Sequence, residues 1–352
     1  MSAELNKTKL LRVRKLIYDT IKKFNLNLSE LVVLTEAASG NYAYTPIIAA
    51  LAGARVYAIT RDSKYASAVE VIENTIKLAE YFNVRNKIQI FTEKRPEIIS
   101  QADIVTNLGF VRPINKWFIS HMKPTAVIPL MYETWEFRRD DIDLDECIKR
   151  GICVLGTNEE DNRLRIFDYL GLLCAKKLFE CEIEIAYSKI VIIGSGKFGY
   201  YISKTLEDMN AEVIWFKDKK EICLDKLEGC DAIIVAEHVR DEVIIGDNGY
   251  ISPNDLSKVC RDAIIINLSG VIDRQSLDRY GIKYLPKEPV KARYMAWSLS
   301  ELGPKPVIDL HTAGLKVGEI MARLRLKGLS PSETIREALK NPLCQGWGEK
   351  HD

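Results

Sequence analysis

The chain is poor in histidine and has no clustered cysteine. It carries four histidines and eight cysteines, the latter at 147, 153, 174, 181, 223, 230, 260 and 344, with no CxxC pair among them. The Cys147/Cys153 and Cys174/Cys181 spacings are too wide for a usual zinc knuckle, so no metal site is expected. The cysteines read as reduced thiols of a cytoplasmic protein. Charge of either sign is not in excess: 50 basic against 49 acidic residues leave a formal net charge of +1, which argues against a dedicated nucleic-acid-binding chain. No apolar run approaches the roughly 18 residues of a membrane span, so no membrane partner is expected. The basic N-terminal stretch, residues 1–24, lacks the apolar core and small-residue cleavage site of a secretory signal. It reads as an amphipathic helix docked on the first domain, with Leu11, Val13, Leu16 and Ile17 on its apolar side. There is no GxSxG turn, Walker A loop or HExxH segment, which removes the usual hydrolase, phosphate-loop and zinc-protease readings.

What is present is an ordinary globular balance, 47% hydrophobic and 28% charged over 352 residues, enough for about two domains with separate cores. Strands and helices alternate from about residue 30. Strands are predicted at 31–35, 55–60, 88–91, 103–106, 126–130 and 153–155, with helices at 46–51 and 66–82. A second series follows at 190–193, 212–216, 232–235, 263–267, 283–285 and 307–309, after a helix over 161–179. Such alternation predicts parallel sheets covered by helices. The tail over 317–339 reads as helical, interrupted at Gly328 and restarted by Ser330–Pro331 with Glu333 in the first turn.

The most informative stretch is IVIIGSGKFGY, Ile190–Tyr200. Four apolar residues lead into glycines at 194, 196 and 199 and then into a helical segment, the order of a dinucleotide-binding fingerprint. Gly194 allows the turn, Gly196 lets a pyrophosphate approach the backbone, and Gly199 lets the helix pack on the strand. Ser195, Lys197 and Phe198 complete the loop, and its amides at the positive end of the helix would face the phosphates.

The order of these features resembles the D-isomer-specific 2-hydroxyacid dehydrogenases over about residues 125–325. DIDLDECIKRGICVLGTN (141–158) looks like that family's hinge-side strand. CDAIIVAEH (230–238) looks like the fourth strand of its cofactor domain, and AIIINLSGVIDRQSL (263–277) like the segment that carries its substrate arginine. The resemblance implies an α/β protein of two Rossmann-like or flavodoxin-like domains with parallel sheets and a cleft between them. The boundaries would be a substrate domain over 1–160, a connecting helix over 161–188, an NAD(P)-binding Rossmann domain over 189–325 and a helical tail over 326–352. It further implies an oxidoreductase that acts on a small molecule and forms a homodimer through its cofactor domains. Carried over by position, His311 in VIDLHTAG takes the general acid/base role. Glu288 is the carboxylate that would orient it and raise its pKa. Asn267, Ser269 and Gly270 would lie near the nicotinamide.

Two positions depart from the family. No arginine follows Asn267; Ser269 stands in the segment instead, and a hydroxyl cannot reproduce a bidentate guanidinium. At the end of the second strand Lys217 takes the usual acidic position and Asp218 comes one residue late. An acid there favours NAD and a basic cluster NADP, so the cofactor is NAD or NADP. A non-redox dinucleotide sensor or scaffold is the alternative. The N-terminal half, TEAASGNYAYTPIIAALAGARVYAITRD (35–62), looks like the opening of a methyltransferase unit without its repeated glycines. That leaves an S-adenosylmethionine-dependent enzyme as a further reading.

In the first domain Arg112 follows a predicted strand and is a candidate for an anionic substrate or a solvated loop residue. Met131, Tyr132 and Glu133 occupy the family's substrate-contact loop and suggest a larger, apolar or cationic substrate; they read equally as core. Glu159 and Glu160 are read as caps of the next helix, and His121 and His238 as structural.

Overall fold

The computed structural model describes residues 3–348 and divides into two compact units. Unit 1 runs to Arg165 and resumes at Gly303; unit 2 is Ile166–Leu302.

In unit 1 the strands β1 (Val32–Glu36), β2 (Arg55–Ile59), β3 (Ile88–Phe91), β4 (Ile104–Val105), β5 (Val127–Pro129) and β6 (Cys153–Thr157) form one sheet. Its order is β6-β5-β4-β1-β2-β3, with the short strand Cys344–Gln345 antiparallel on the outer edge of β6. All other pairings are parallel. The chain winds outward from β1 to β3 and then restarts at β4 beside β1. The β1/β4 boundary is therefore the topological switch point, where open sheets of this type hold ligands.

Unit 2 contains β7 (Lys189–Ile193), β8 (Glu212–Phe216), β9 (Ala232–Ala236), β10 (Val243–Ile245), β11 (Ile264–Ser269), β12 (Val271–Ile272) and β13 (Lys283–Leu285). Five of them make a parallel sheet in the order β13-β11-β9-β7-β8, while β10 and β12 pair separately. Its switch point lies between β7 and β9. The apolar residues of both strands are buried, as expected for parallel strands covered on two faces.

Several elements differ from the sequence reading. The expected strand over 307–309 is the first part of a long helix, Pro304–Leu326, which begins after Gly303 with proline in its first turn. A short apolar run does not distinguish a strand from a helix buried nearly all round, and this helix buries Val307, Ile308, Leu315, Val317 and Met321. It belongs to unit 1, so the expected cofactor domain over 189–325 ends at Leu302, and the tail after Gly303 packs with the first unit. Gly314 and Gly318 make that packing close: a Cβ on Gly314 would sit 2.2 Å from Met131 Sδ, and one on Gly318 2.8 Å from Ile104 Cγ2.

The helix expected over 161–179 begins only at Asp168 and ends at Glu180. The N-terminal helix, Ala3–Phe24, buries Val13, Ile17, Thr20 and Phe24, whereas Leu11 is 54% exposed. The buried stripe therefore follows the 13/17/20/24 spacing. Thr20 and Lys23 both engage Asp309 of the long helix. The tail helix restarts at Pro331–Ala338 as expected, with a capping box between Ser330 and Glu333.

Candidate functional site

The glycine fingerprint sits at the switch point of unit 2. Gly194 approaches the end of β9 so closely that a Cβ would meet Ala236 O at 2.4 Å. A Cβ on Gly199 would meet Trp215 Nε1 at 2.4 Å, and that indole donates to Gly194 O at 2.8 Å. Gly196 is different: it has φ +65° and no atom within 4 Å of a Cβ position. The turn therefore needs glycine for conformation at 196 and leaves open space beside it. The helix Gly196–Asp208 starts there, with Ser195 as an extended N-cap residue.

Glu237 follows β9 and is 2% exposed. Its carboxylate accepts from Ser195 N at 3.1 Å and Ser195 Oγ at 3.0 Å, and from the amides of Val239 and Arg240 at 3.1 and 3.2 Å. The sequence reading did not single it out. Its signal was an acid placed directly after the apolar strand AIIVA.

His238 stacks on Phe198, with ring centroids 4.6 Å apart. Its Nδ1 lies 2.9 Å from Ser269 Oγ, and Ser269 donates its one proton to Tyr294 O at 3.0 Å. Nδ1 must then be the donor to Ser269, which makes Nε2 the nitrogen that holds the lone pair. His238 was read as structural; its position beside the fingerprint makes it part of this site.

Asn267, fully buried at the end of β11, donates through Nδ2 to Gly270 O, while its Oδ1 has no hydrogen-bond partner among the described residues. The open cradle at Gly196 and this orphaned acceptor fit a polar ligand along the sheet edge. Lys217 places its ammonium 4.5 Å from the Trp215 ring centre. Asp218 accepts from Lys220 N at 3.0 Å and pairs with Arg240 at 3.4 Å; the Lys220 amide is the largest cause holding its carboxyl below the usual range. Lys197 lies over Phe167 at 5.1 Å.

Glu288 is exposed in the loop after β13, and its backbone carbonyl accepts from Arg274 at 2.8 Å. Arg293, the other arginine of that region, pairs with Asp241.

His311 belongs to unit 1 and differs from its expected setting. It lies inside the long helix, 3% exposed, with Nδ1 2.6 Å from Thr45 Oγ1 and its ring 5.6 Å from that of Tyr42. Burial pushes its pKa down to about 4, opposite to the carboxylate-raised value expected. The imidazole is neutral near pH 7, and Thr312, Ala313 and Gly314 after it are buried residues of the same helix.

The other first-unit candidates are engaged internally. Arg112 pairs with Asp141 at 2.5 Å, and Arg138 and Tyr132 converge on the same carboxylate at 3.0 and 3.5 Å. Burial is the main cause that raises the Tyr132 phenol above its usual range. Met131 is buried against Gly314, and its amide donates to Asn107 at 2.9 Å. Glu133 is fully buried and accepts from Trp135 Nε1 and Glu159 N, so it serves as a local brace rather than an open cation site. At the β1/β4 switch point Glu36 accepts from Phe110 N at 3.0 Å, and desolvation raises its pKa despite that bond. Among the described residues no group of three or more His, Cys, Asp or Glu could hold a metal ion, and no helix is long and apolar enough to cross a membrane.

No family model matches the sequence, and no curated protein matches it. Solved structures do resemble the chain. A dipicolinate synthase chain from Bacillus halodurans is 12% identical, with coverage of 85% of this chain and 99% of that one and a TM-score of 0.53. A protein from Ralstonia solanacearum described as a D-3-phosphoglycerate dehydrogenase oxidoreductase is 11% identical, with coverage of 89% and 100% and a TM-score of 0.50. NAD+-bound 3-phosphoglycerate dehydrogenase from Entamoeba histolytica is 14% identical, with coverage of 86% and 97% and a TM-score of 0.46. At these identities the likeness is one of fold: the chain has the two-unit, parallel-sheet α/β fold of the first two proteins.

Proposed function

We propose that the protein is an NAD(P)-dependent oxidoreductase acting on a small carbonyl or hydroxyl compound, with unit 2 as its dinucleotide-binding unit. The observation that carries this reading is the Gly194–Gly199 turn at the switch point of a parallel sheet, with an open cradle at Gly196. The fold likeness to a protein described as a dehydrogenase supports it. A nicotinamide dinucleotide, when bound, supplies hydride transfer. The chain's own part is then divided among named residues. Backbone amides at the start of the Gly196–Asp208 helix bind phosphate. Asn267, Ser269 and Gly270 orient the polar end of the ligand. His238, held in one tautomer by Ser269, accepts or returns a proton at Nε2. The resemblance also supports a homodimer, which sedimentation of the purified chain would test.

Calorimetry with NAD, NADP and S-adenosylmethionine tests the reading. One of the two dinucleotides should bind, Gly196→Val should weaken it at least tenfold, and S-adenosylmethionine should give no heat. Failure of both dinucleotides to bind would sink it; heat from S-adenosylmethionine alone would favour a unit 1 transferase. A specific observation favours a second reading, a dinucleotide sensor or scaffold without redox chemistry. Ser269 stands where a substrate arginine was expected, and Arg112 is already paired with Asp141. Binding without reduction of any compound in a panel of carbonyls would support that alternative.

A further inference from the structure

The Ser195 amide belongs to the loop that would face a ligand phosphate, yet it already has an anion. Glu237 is almost wholly buried, and the Ser195 amide and hydroxyl and the amides of Val239 and Arg240 surround its carboxylate. The Arg240 guanidinium lies 4.0 Å away. Two N–H groups following the acid itself and one from the glycine loop make a small anion cradle, and a side-chain carboxylate fills it. The strand end at Gly270 passes close to the backbone of the acid: a Cβ on Gly270 would lie 3.1 Å from Glu237 O and 3.4 Å from its Cβ.

We infer that Glu237 is an internal anion that competes with a ligand's phosphate for the Ser195 amide and so sets which nucleotides the site accepts. The inference rests on the reading of unit 2 as a dinucleotide-binding unit. A phosphate brought to this amide would either meet a carboxylate of the same sign at hydrogen-bond range or have to displace it. Within a buried cradle that repulsion is weakly screened. Ligands lacking a phosphate, such as adenosine, avoid the penalty; dinucleotides bear it in full. The residue is thus a determinant of specificity by charge, acting through the loop rather than through the reacting atoms.

The test compares NADH and NADPH binding, followed by their fluorescence, and adenosine binding, followed by calorimetry, for the full chain and for Glu237→Gln and Glu237→Ala. The Gln variant keeps the shape and one acceptor for Ser195 N, so it guards against a folding defect in the Ala variant. Both variants should bind the preferred dinucleotide at least tenfold more tightly, with adenosine affinity changed by less than twofold. Amide exchange on the unaltered chain gives a measurement free of mutation: protection of Val239 and Arg240 should fall when the dinucleotide displaces the carboxylate. If the unaltered chain binds a dinucleotide, the variants bind it no more tightly and exchange at 239–240 is unchanged, the inference is overturned while the reading of unit 2 stands. Absence of dinucleotide binding by all three proteins overturns both.

Discussion

His311 Nδ1 lies 2.6 Å from Thr45 Oγ1 inside the first unit. With burial the only cause that acts on it, the imidazole has its pKa lowered from 6.5 to about 4. The unfolded chain then binds a proton that the folded chain refuses throughout that interval. Stability is therefore full above pH 6.5 and falls as pH drops toward 4, by up to about 3 kcal/mol if a lowered unit is worth about 1.4 kcal/mol. Urea denaturation between pH 4 and 7 measures the slope. His311→Gln should flatten it; an unchanged slope in the variant would place the acid sensitivity elsewhere.

His238 and Ser269 carry a prediction about activity. Ser269 donates to Tyr294 O, which makes the His238 Nδ1 proton the one that reaches Ser269. His238→Gln should then lower kcat by about 10²-fold or more, in keeping with a positioned acid/base group, while dinucleotide affinity changes little. Ser269→Ala leaves the ring in place but frees its tautomer, so a smaller loss of kcat and a shifted pH–rate profile are expected. Equal turnover in the unaltered chain and His238→Gln, with a compound the unaltered chain reduces, would remove His238 from the mechanism.

The fold was legible where apolar runs and glycines act locally. The parallel strands of the two large sheets and the turn at Gly194–Gly199 could be read because a buried parallel strand is apolar throughout and a tight turn demands particular residues, whereas the antiparallel edge strand Cys344–Gln345 could not. The helix at Pro304–Leu326 was misread because a helix buried on nearly every side loses the polar face that marks its period. Its membership of the first unit depends on contacts with residues some 180 positions away, such as Gly314 against Met131, and no local pattern encodes that. The missed acids had a visible sign. VVLTE and AIIVA-Glu each end an apolar strand in a glutamate, at residues 36 and 237. What could not be read was the partner each acid takes across its switch point.

Gly314 lies in the helix Pro304–Leu326, and its surroundings lead to a stability prediction. A Cβ there would lie 2.2 Å from Met131 Sδ and 3.1 Å from Met131 Cε. Methionine is flexible but is itself buried here, so the extra methyl must force the helix and sheet apart or the thioether out of its rotamer. Gly314→Ala should cost about 1–3 kcal/mol by overpacking, even though alanine favours helix more than glycine does. Chemical denaturation of the single variant measures it, and the double variant Gly314→Ala/Met131→Ala should recover part of the packing strain. Greater stability in Gly314→Ala would mean that helix propensity outweighs the contact.

Glu36 repeats in the first unit what Glu237 does in the second: an acid at the end of a switch-point strand accepts an amide from the loop across the boundary. For Glu36 the amide is Phe110 N, at 3.0 Å. Desolvation is the largest influence on its carboxyl and raises the pKa above 4.5, with the Phe110 and Gly109 amides and Arg112 acting against it. The folded chain therefore holds this proton more tightly than the unfolded chain, and the buried charge costs stability as pH rises above 4.5. A glutamine keeps an acceptor for Phe110 N and has no charge to bury. Glu36→Gln should thus gain on the unaltered chain as pH increases from 4.5 to 7, whereas Glu36→Ala, which leaves the loop amides without an acceptor, should lose about 1–3 kcal/mol at either pH. Parallel urea curves for the three proteins at the two pH values provide the measurement. A Gln variant that loses ground between pH 4.5 and 7 would mean that the amides and Arg112, rather than burial, govern this carboxylate.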